Sequence, residues 1–234
     1  MIKKKLISNK FIYYIYKWLK IIRNKKSSHH FGEFGEDIFI NRFFKNINHG
    51  FYVDVGCYHP HKGSLTNLLY KRGWSGMNID ISKTSIDLFN LIRKKDINLN
   101  CAISNFIGET NFYENSLINQ QNSLIKNNNN QSEKKISCFT LDKILEKHKI
   151  NNLDYLNVDV EGNELNVIKS INFKKYKPLL ISIESNDIIL EDYLKDDTFK
   201  HLVDNEYVFI NKIGVTNIFI HKTYKTKISE LISI

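Results

Sequence analysis

Strand-favouring residues lead into an aspartate, and glycine follows two positions later, in Phe51-Tyr52-Val53-Asp54-Val55-Gly56-Cys57-Tyr58-His59-Pro60. A mononucleotide-binding α/β domain needs this arrangement at its first strand-to-loop turn. The buried strand brings a carboxylate to the carboxyl edge of the sheet, and the glycine lets backbone approach a ligand closely. A second acid, Asp80, ends the run from Met77 and lies 24 residues after Gly56. Such folds place an acid on a ribose hydroxyl ~20 residues along. Val53-Asp54-Val55-Gly56 alone would read as an ordinary strand and turn. With the second acid, the pair points to a nucleoside-bearing cofactor.

The dinucleotide fingerprint Gly-x-Gly-x-x-Gly is absent, because Tyr58 and His61 occupy its second and third glycine positions. The phosphate-cradling pattern Gly-x-x-x-x-Gly-Lys-Ser/Thr is absent too. One glycine among bulky neighbours fits poorly around a pyrophosphate. It can pass beside the amino-acid tail of S-adenosylmethionine.

The chain has 234 residues, enough for one sizeable α/β domain with additions. Its net charge of +9 is uneven: residues 1–30 hold nine Lys or Arg and no acid, which leaves 25 basic and 25 acidic residues elsewhere. We therefore separate a basic N-terminal helix or tail, residues 1–30, from a domain over residues 31–234. A nucleic-acid enzyme would carry its basic stripe on the folded body, so no nucleic-acid partner is expected. Within the tail, Ile7, Phe11, Ile15, Trp18 and Ile22 recur at helical spacing, with Lys3, Lys10, Lys17 and Lys20 mostly opposite. The run Phe11–Tyr16 is far short of the ~20 residues that span a bilayer, and no cleavage site marks a secretory signal. Two readings stand: peripheral contact with an anionic membrane, or docking of the apolar side on the domain or a second subunit. Cys57, Cys101 and Cys138 form neither a disulfide framework nor a zinc signature, which points to a reducing cytoplasm.

Further along, a short helix is expected over 38–44, and strands over 51–55, 77–80, 99–103, 155–160 and 179–183. Helices are expected over 64–72, from a capping box at Thr84-Ser85-Ile86-Asp87, after Thr140, through Leu165 to Ile171, and over about 191–202. Short strands at 111–113 and 136–139 flank a polar, Asn-rich segment, 115–135, read as a mobile loop. Tyr207–Asn211 and Asn217–Ile220 close as a hairpin around Gly214. The fold class is α/β: a Rossmann-like class I methyltransferase fold with a seven-stranded, mostly parallel sheet and a C-terminal antiparallel hairpin.

Motifs in order over residues 32–221 resemble the FkbM family of methyltransferases. Gly35-Glu36-Asp37 resembles the family's entrance motif, with Gly32 and Glu33 in place of Ser and Gln. Val53–Pro60 resembles its first cofactor loop, and Ser64-Leu65-Thr66, Tyr70 and Gly73-Trp74-Ser75-Gly76 the approach to strand two. Asn78-Ile79-Asp80, Ala102-Ile103-Ser104 and Thr140-Leu141-Asp142 take the next positions. Val158-Asp159-Val160-Glu161-Gly162-Asn163-Glu164 is similar to the family's Lys-Ile-Asp-Val-Glu-Gly-x-Glu, with Asn157 for the lysine.

The resemblance implies S-adenosylmethionine as donor and a hydroxyl oxygen as acceptor, on a saccharide of a surface polysaccharide or a related small molecule. Asp54, Gly56 and Tyr58 should line the methionine part, Asp80 should take the ribose hydroxyls, and Ile81 should pack on the adenosine. Cys101, Ala102 and Ile103 should form the adenine edge. Asp159 and Glu161 are the candidate bases, with His61 behind them, and Glu164 is read as stabilising the following helix. Glu36, Asp159, Glu161 and Glu184 could gather around a divalent ion, but strand-end carboxylates are common in this fold and no metal is assigned. The alternatives are a non-catalytic, membrane-tethered binding module and a Rossmann-type oxidoreductase.

Overall fold

A computed structural model describes residues 10–23, 29–114, 122–126, 132–185 and 189–227. Five parallel strands form one side of the main sheet: β1 (Phe51–Val55), β2 (Ser75–Asp80), β3 (Ile97–Asn100), β7 (Tyr155–Val158) and β8 (Leu180–Glu184). Next to β8 come β10 (Thr216–His221) and β9 (Tyr207–Ile213), giving the order β3-β2-β1-β7-β8-β10-β9. Only β10 points opposite to the other six strands, so the sheet is mostly parallel with a closing antiparallel pair, as expected.

Side-chain alternation explains why the sheet is covered on both faces. Val53, Val55, Leu156, Val158, Ile181, Ile183 and Phe219 turn to one side. There they meet helices α5 (Leu141–Lys147), α6 (Glu164–Lys169) and α8 (Asp197–Asp204). Tyr52, Tyr155, Leu180, Ile218 and Ile220 turn to the other side, against Ile40, Phe43 and Phe44, at and just beyond α2 (Glu36–Phe43), Leu69 of α3 (Asn67–Lys71), and Trp74. Asp54, Asn157 and Ser182 share that second face in register on three adjacent strands.

Four expectations change. Helix α4 (Lys83–Ile92) is capped two residues before the first residue of the proposed capping box: Ser82 is its N-cap, and Ser82 Oγ accepts from Ser85 N at 3.3 Å. The single strand over 99–103 is two. Leu99 pairs with Ile79 in the main sheet, whereas β4 (Ala102–Ile103) pairs with Cys138 and Phe139 in a second sheet. That sheet, ordered β4-β6-β5, is completed by β5 (Gly108–Glu114) and β6 (Ser132–Phe139). The helix over 191–202 is also two, α7 (Leu190–Tyr193) and α8, because Asp196 caps a new start by accepting from Thr198 N at 2.7 Å. Finally, the polar segment is partly built into the body. Residues 132–135 belong to β6, and Ser123, fully buried, bridges to Tyr113. Residues 115–121 and 127–131 lie outside the described residues.

Helix α1 (Lys10–Arg23) packs on the domain, but not by its apolar side as one reading held. The Tyr13 hydroxyl donates to Asp87 Oδ2 at 2.9 Å and lies 3.2 Å from Thr84 Oγ1, both on α4. Lys17 lies over the Tyr13 ring, and Ile21 is buried. A tyrosine supplies both apolar contact and a hydrogen bond, so the mixed side of this helix docks better than its purely apolar one.

Candidate active site

Strand ends and their loops meet at the carboxyl edge of the parallel strands, around a cavity of about 270 Å³. It is lined by Asp54, Gly56, Tyr58, Asp80, Ile81, Cys101, Ala102 and Ile103. The structure thus brings all eight residues expected at the cofactor to one place. Asp159 and Glu161 line it as well. His61 is not among the lining residues; its ring lies beside Phe31 and His59, 6.2 and 6.1 Å between centroids.

The loop after β1 is held in an unusual shape. Gly56 has φ 84° and Tyr58 φ 50°, the latter a sterically disfavoured position for a bulky side chain. Gly56 is required by the chain itself. A Cβ there would sit 1.6 Å from the carbonyl oxygen of Asp159, so the glycine lets the ends of β1 and β7 touch. Gly56 also lines the cavity, so this strand contact is a second demand for glycine that the sequence did not show. Behind the loop, buried His59 keeps its Nδ1 as acceptor for the N–H groups of His61 and Lys62, each at 3.1 Å. Burial, followed by the fields of His61 and Lys20, holds the His59 pKa down at about 3, so this acceptor persists across the physiological range.

Asp54 is buried within a polar network that crosses the sheet. Its Oδ1 accepts from Asn157 Nδ2 at 2.9 Å and its Oδ2 from Thr66 Oγ1 at 2.8 Å. Asn157, which stands where the resembled motif has lysine, in turn accepts from Ser182 Oγ at 2.5 Å. The positive charge comes from Arg93, fully buried just beyond α4. Its guanidinium donates to Thr66 Oγ1 (2.6 Å), Ser64 Oγ (2.5 Å) and the Pro60 carbonyl (2.8 Å). Desolvation raises the Asp54 pKa, and Asn157 and Arg93 pull it back. Sequence reasoning missed Arg93, which reads as an ordinary basic residue at a helix C-terminus.

Asp80 ends β2 with both carboxylate oxygens aimed at backbone: Oδ2 accepts from Tyr58 N at 2.8 Å and Oδ1 from Ser82 N at 2.6 Å. Each oxygen keeps acceptor capacity for a hydroxyl group. Burial lifts the Asp80 pKa to about 6 against the pull of those two N–H groups.

The far wall is acidic. Single carboxylate oxygens of Asp159, Glu161 and Glu184 lie within 4.8 Å of one another. Asp159 and Glu161 are raised first by desolvation and then by neighbouring acids, Asp159 well above its ordinary range and Glu161 to about 7. Such a set can share protons, or hold a divalent cation. Glu161 has φ 57°, a second disfavoured backbone position facing the cavity. Its carbonyl accepts from Ser123 Oγ at 2.8 Å, so the segment 122–126 is tied to this wall. Glu164 braces the loop directly: its Oε1 accepts from Val160 N at 3.2 Å and Gly162 N at 3.0 Å. Asn122, Leu124, Asn163 and Thr216 also line the cavity. The sequence carries no signal for them, because their neighbours in space are distant along the chain.

All three cysteines are free and buried, and burial pushes the Cys57 and Cys101 thiols up, Cys101 to about 12. They pack as small apolar groups. Among the described residues no helix is long and apolar enough to cross a membrane.

Comparison with known proteins agrees with the geometry. No curated protein matches the chain. Residues 54–209 match the model of the Methyltransferase FkbM domain, from the first strand-end carboxylate into the closing hairpin. With the β3-β2-β1-β7-β8-β10-β9 sheet and its carboxyl-edge cavity, this match places the chain in the FkbM family of methyltransferases.

Proposed function

We propose that the protein is an S-adenosylmethionine-dependent O-methyltransferase for a hydroxyl of a saccharide or related small molecule, in surface polysaccharide synthesis. The observation that carries the donor assignment is the charge of the cavity. Seven carboxylates line it (Glu33, Glu36, Asp54, Asp80, Asp159, Glu161 and Glu184), with no lysine, arginine or histidine among the described lining residues. A pyrophosphate would meet only like charge there, which weighs against the oxidoreductase alternative. A ligand with a sulfonium and an ammonium group meets attraction, and S-adenosylmethionine, when bound, supplies a methyl group activated by its sulfonium.

Asp80 offers its two free acceptor sites to the ribose hydroxyls, with Ile81 against the adenosine and Cys101, Ala102 and Ile103 at the adenine edge. Asp54, Gly56 and Tyr58 hold the first loop beside the methionine end. Glu161, with Asp159 next to it, takes the proton from the acceptor hydroxyl; its pKa of about 7 suits a base working near neutral pH. The acid wall also favours a neutral or amine-bearing acceptor over a phosphorylated one. Three free, buried thiols suit the cytoplasm.

Calorimetry with S-adenosylhomocysteine and with NAD tests the reading. S-adenosylhomocysteine should bind and NAD should not, and Asp80→Ala should lose about 1–3 kcal/mol of that affinity. Binding of NAD instead would replace the donor assignment, and an unaffected Asp80→Ala variant would remove Asp80 from the ribose.

A further inference from the structure

Helix α1 shows its most apolar side to solvent. Phe11, Tyr14, Ile15, Trp18, Leu19 and Ile22 fall on one stripe at 3.6-residue spacing, and all are exposed, Phe11 by 70%, Leu19 by 60% and Ile22 by 63%. The opposite side, through Tyr13, is the one held on the domain, and Ile21 is buried at the edge of the stripe beside Tyr14. The stripe is therefore presented by a fixed helix. At 14 residues α1 is about 21 Å long, too short to span a bilayer but suited to lie along one.

Charge decides what covers the stripe. Residues 1–30 carry nine Lys or Arg and no acid. In a self-pairing of two stripes, symmetry would set these like-charged segments against each other. An anionic lipid surface offers apolar depth for the stripe and opposite charge for its flanks, and Trp18 and Tyr14 belong to the side-chain types that settle at headgroup level. We infer that α1 lies in the headgroup layer of an anionic membrane, apolar stripe inward, with the domain on the aqueous side. The inference stands on the helix alone and does not depend on the donor or acceptor proposed above. It bears on the cavity, because after burial and His61 the Lys20 ammonium of α1 is among the groups that hold down the pKa of His59 behind the first loop. Membrane docking would thus take place beside the site.

Flotation of the full-length chain with phosphatidylglycerol/phosphatidylcholine vesicles and with pure phosphatidylcholine vesicles tests it, together with the double variant Trp18→Glu, Leu19→Glu. Both side chains are exposed, so the variant should keep the parental melting temperature. The parent should float with the anionic vesicles, at least about tenfold more than with neutral ones and less at high salt, and the variant should lose that binding. A parent that stays with the unbound fraction overturns the inference, as does a variant that floats equally well. A salt-resistant dimer in light scattering that the variant dissociates would assign the stripe to a second copy instead.

Discussion

Gly56→Ala is the substitution whose effect the structure specifies most fully. The added Cβ would lie 1.6 Å from the Asp159 carbonyl oxygen, against an ordinary carbon–oxygen contact of about 3.3–3.6 Å, so one strand end must move by about 1.7 Å or more. The left-handed φ of 84° adds about 1–2 kcal/mol for any residue with a Cβ, and overpacking of this kind costs about 1–3 kcal/mol. Together these predict a loss of about 2–5 kcal/mol, or about 4–20 °C in Tm for a chain of this length. Gly73→Ala is the matched control. Its φ of 95° is similar, but nothing lies within 4 Å of the added carbon, so only the conformational part should appear. The two variants are compared by thermal melting and by S-adenosylhomocysteine calorimetry. Gly56→Ala should also displace Asp159, and a 1 Å error at a reacting group costs about 10²-fold in turnover. If Gly56→Ala melts and binds like Gly73→Ala, the contact between the ends of β1 and β7 is not what requires glycine.

Two further outcomes follow from the buried charges. If Glu161 is the base, activity should rise with pH through about 7, and Glu161→Gln should lose about 10²–10⁴-fold of turnover. Because folding raises this carboxyl's pKa, its contribution to stability is full below its ordinary value near 4.5 and is lost as pH rises through about 7; Glu161→Gln should therefore melt higher than the parent at pH 8, and equal melting there would contradict the raised pKa assigned to Glu161. Arg93→Met removes the cation beneath Thr66 and Asp54 and leaves the Pro60 carbonyl without this donor, so a loss of about 3–5 kcal/mol is expected by denaturant titration, and a neutral result would show that the buried network does not depend on it.

Much of this fold could be read in advance because its strands are short apolar runs that stop at an acid. Phe51–Val55 matched residue for residue, and the closing hairpin and Thr140 cap were found where turn and cap chemistry put them. Asp54, Asp80 and Asp159 could be named for the same reason. The break at Cys101 could not, since Leu99, Cys101, Ala102 and Ile103 form an almost unbroken apolar run, and only the positions of Ile79 and Cys138 decide where each part pairs. The docking side of α1 was hidden by its tyrosines, which count as apolar in a periodicity but donate hydrogen bonds in the fold. Glu184 was in view only as one member of a metal set, because its proximity to Asp159 and Glu161 depends on strand order.

The division of the chain at Cys101 sets a small second sheet, β4-β6-β5, apart from the main sheet that runs on both sides of it in sequence. Upstream, β1 and β2 fix Asp54 and Asp80 through sheet register, and any change of length there would misplace both. Downstream, the hairpin of β5 and β6 belongs to another sheet, and its connecting segment delivers Asn122 and Leu124 to the cavity through the Ser123 contact with Glu161. Insertions or replacements within that connection would remodel one wall and leave the register of the main sheet untouched. Libraries that probe the selectivity of the proposed reaction therefore belong between residues 114 and 132.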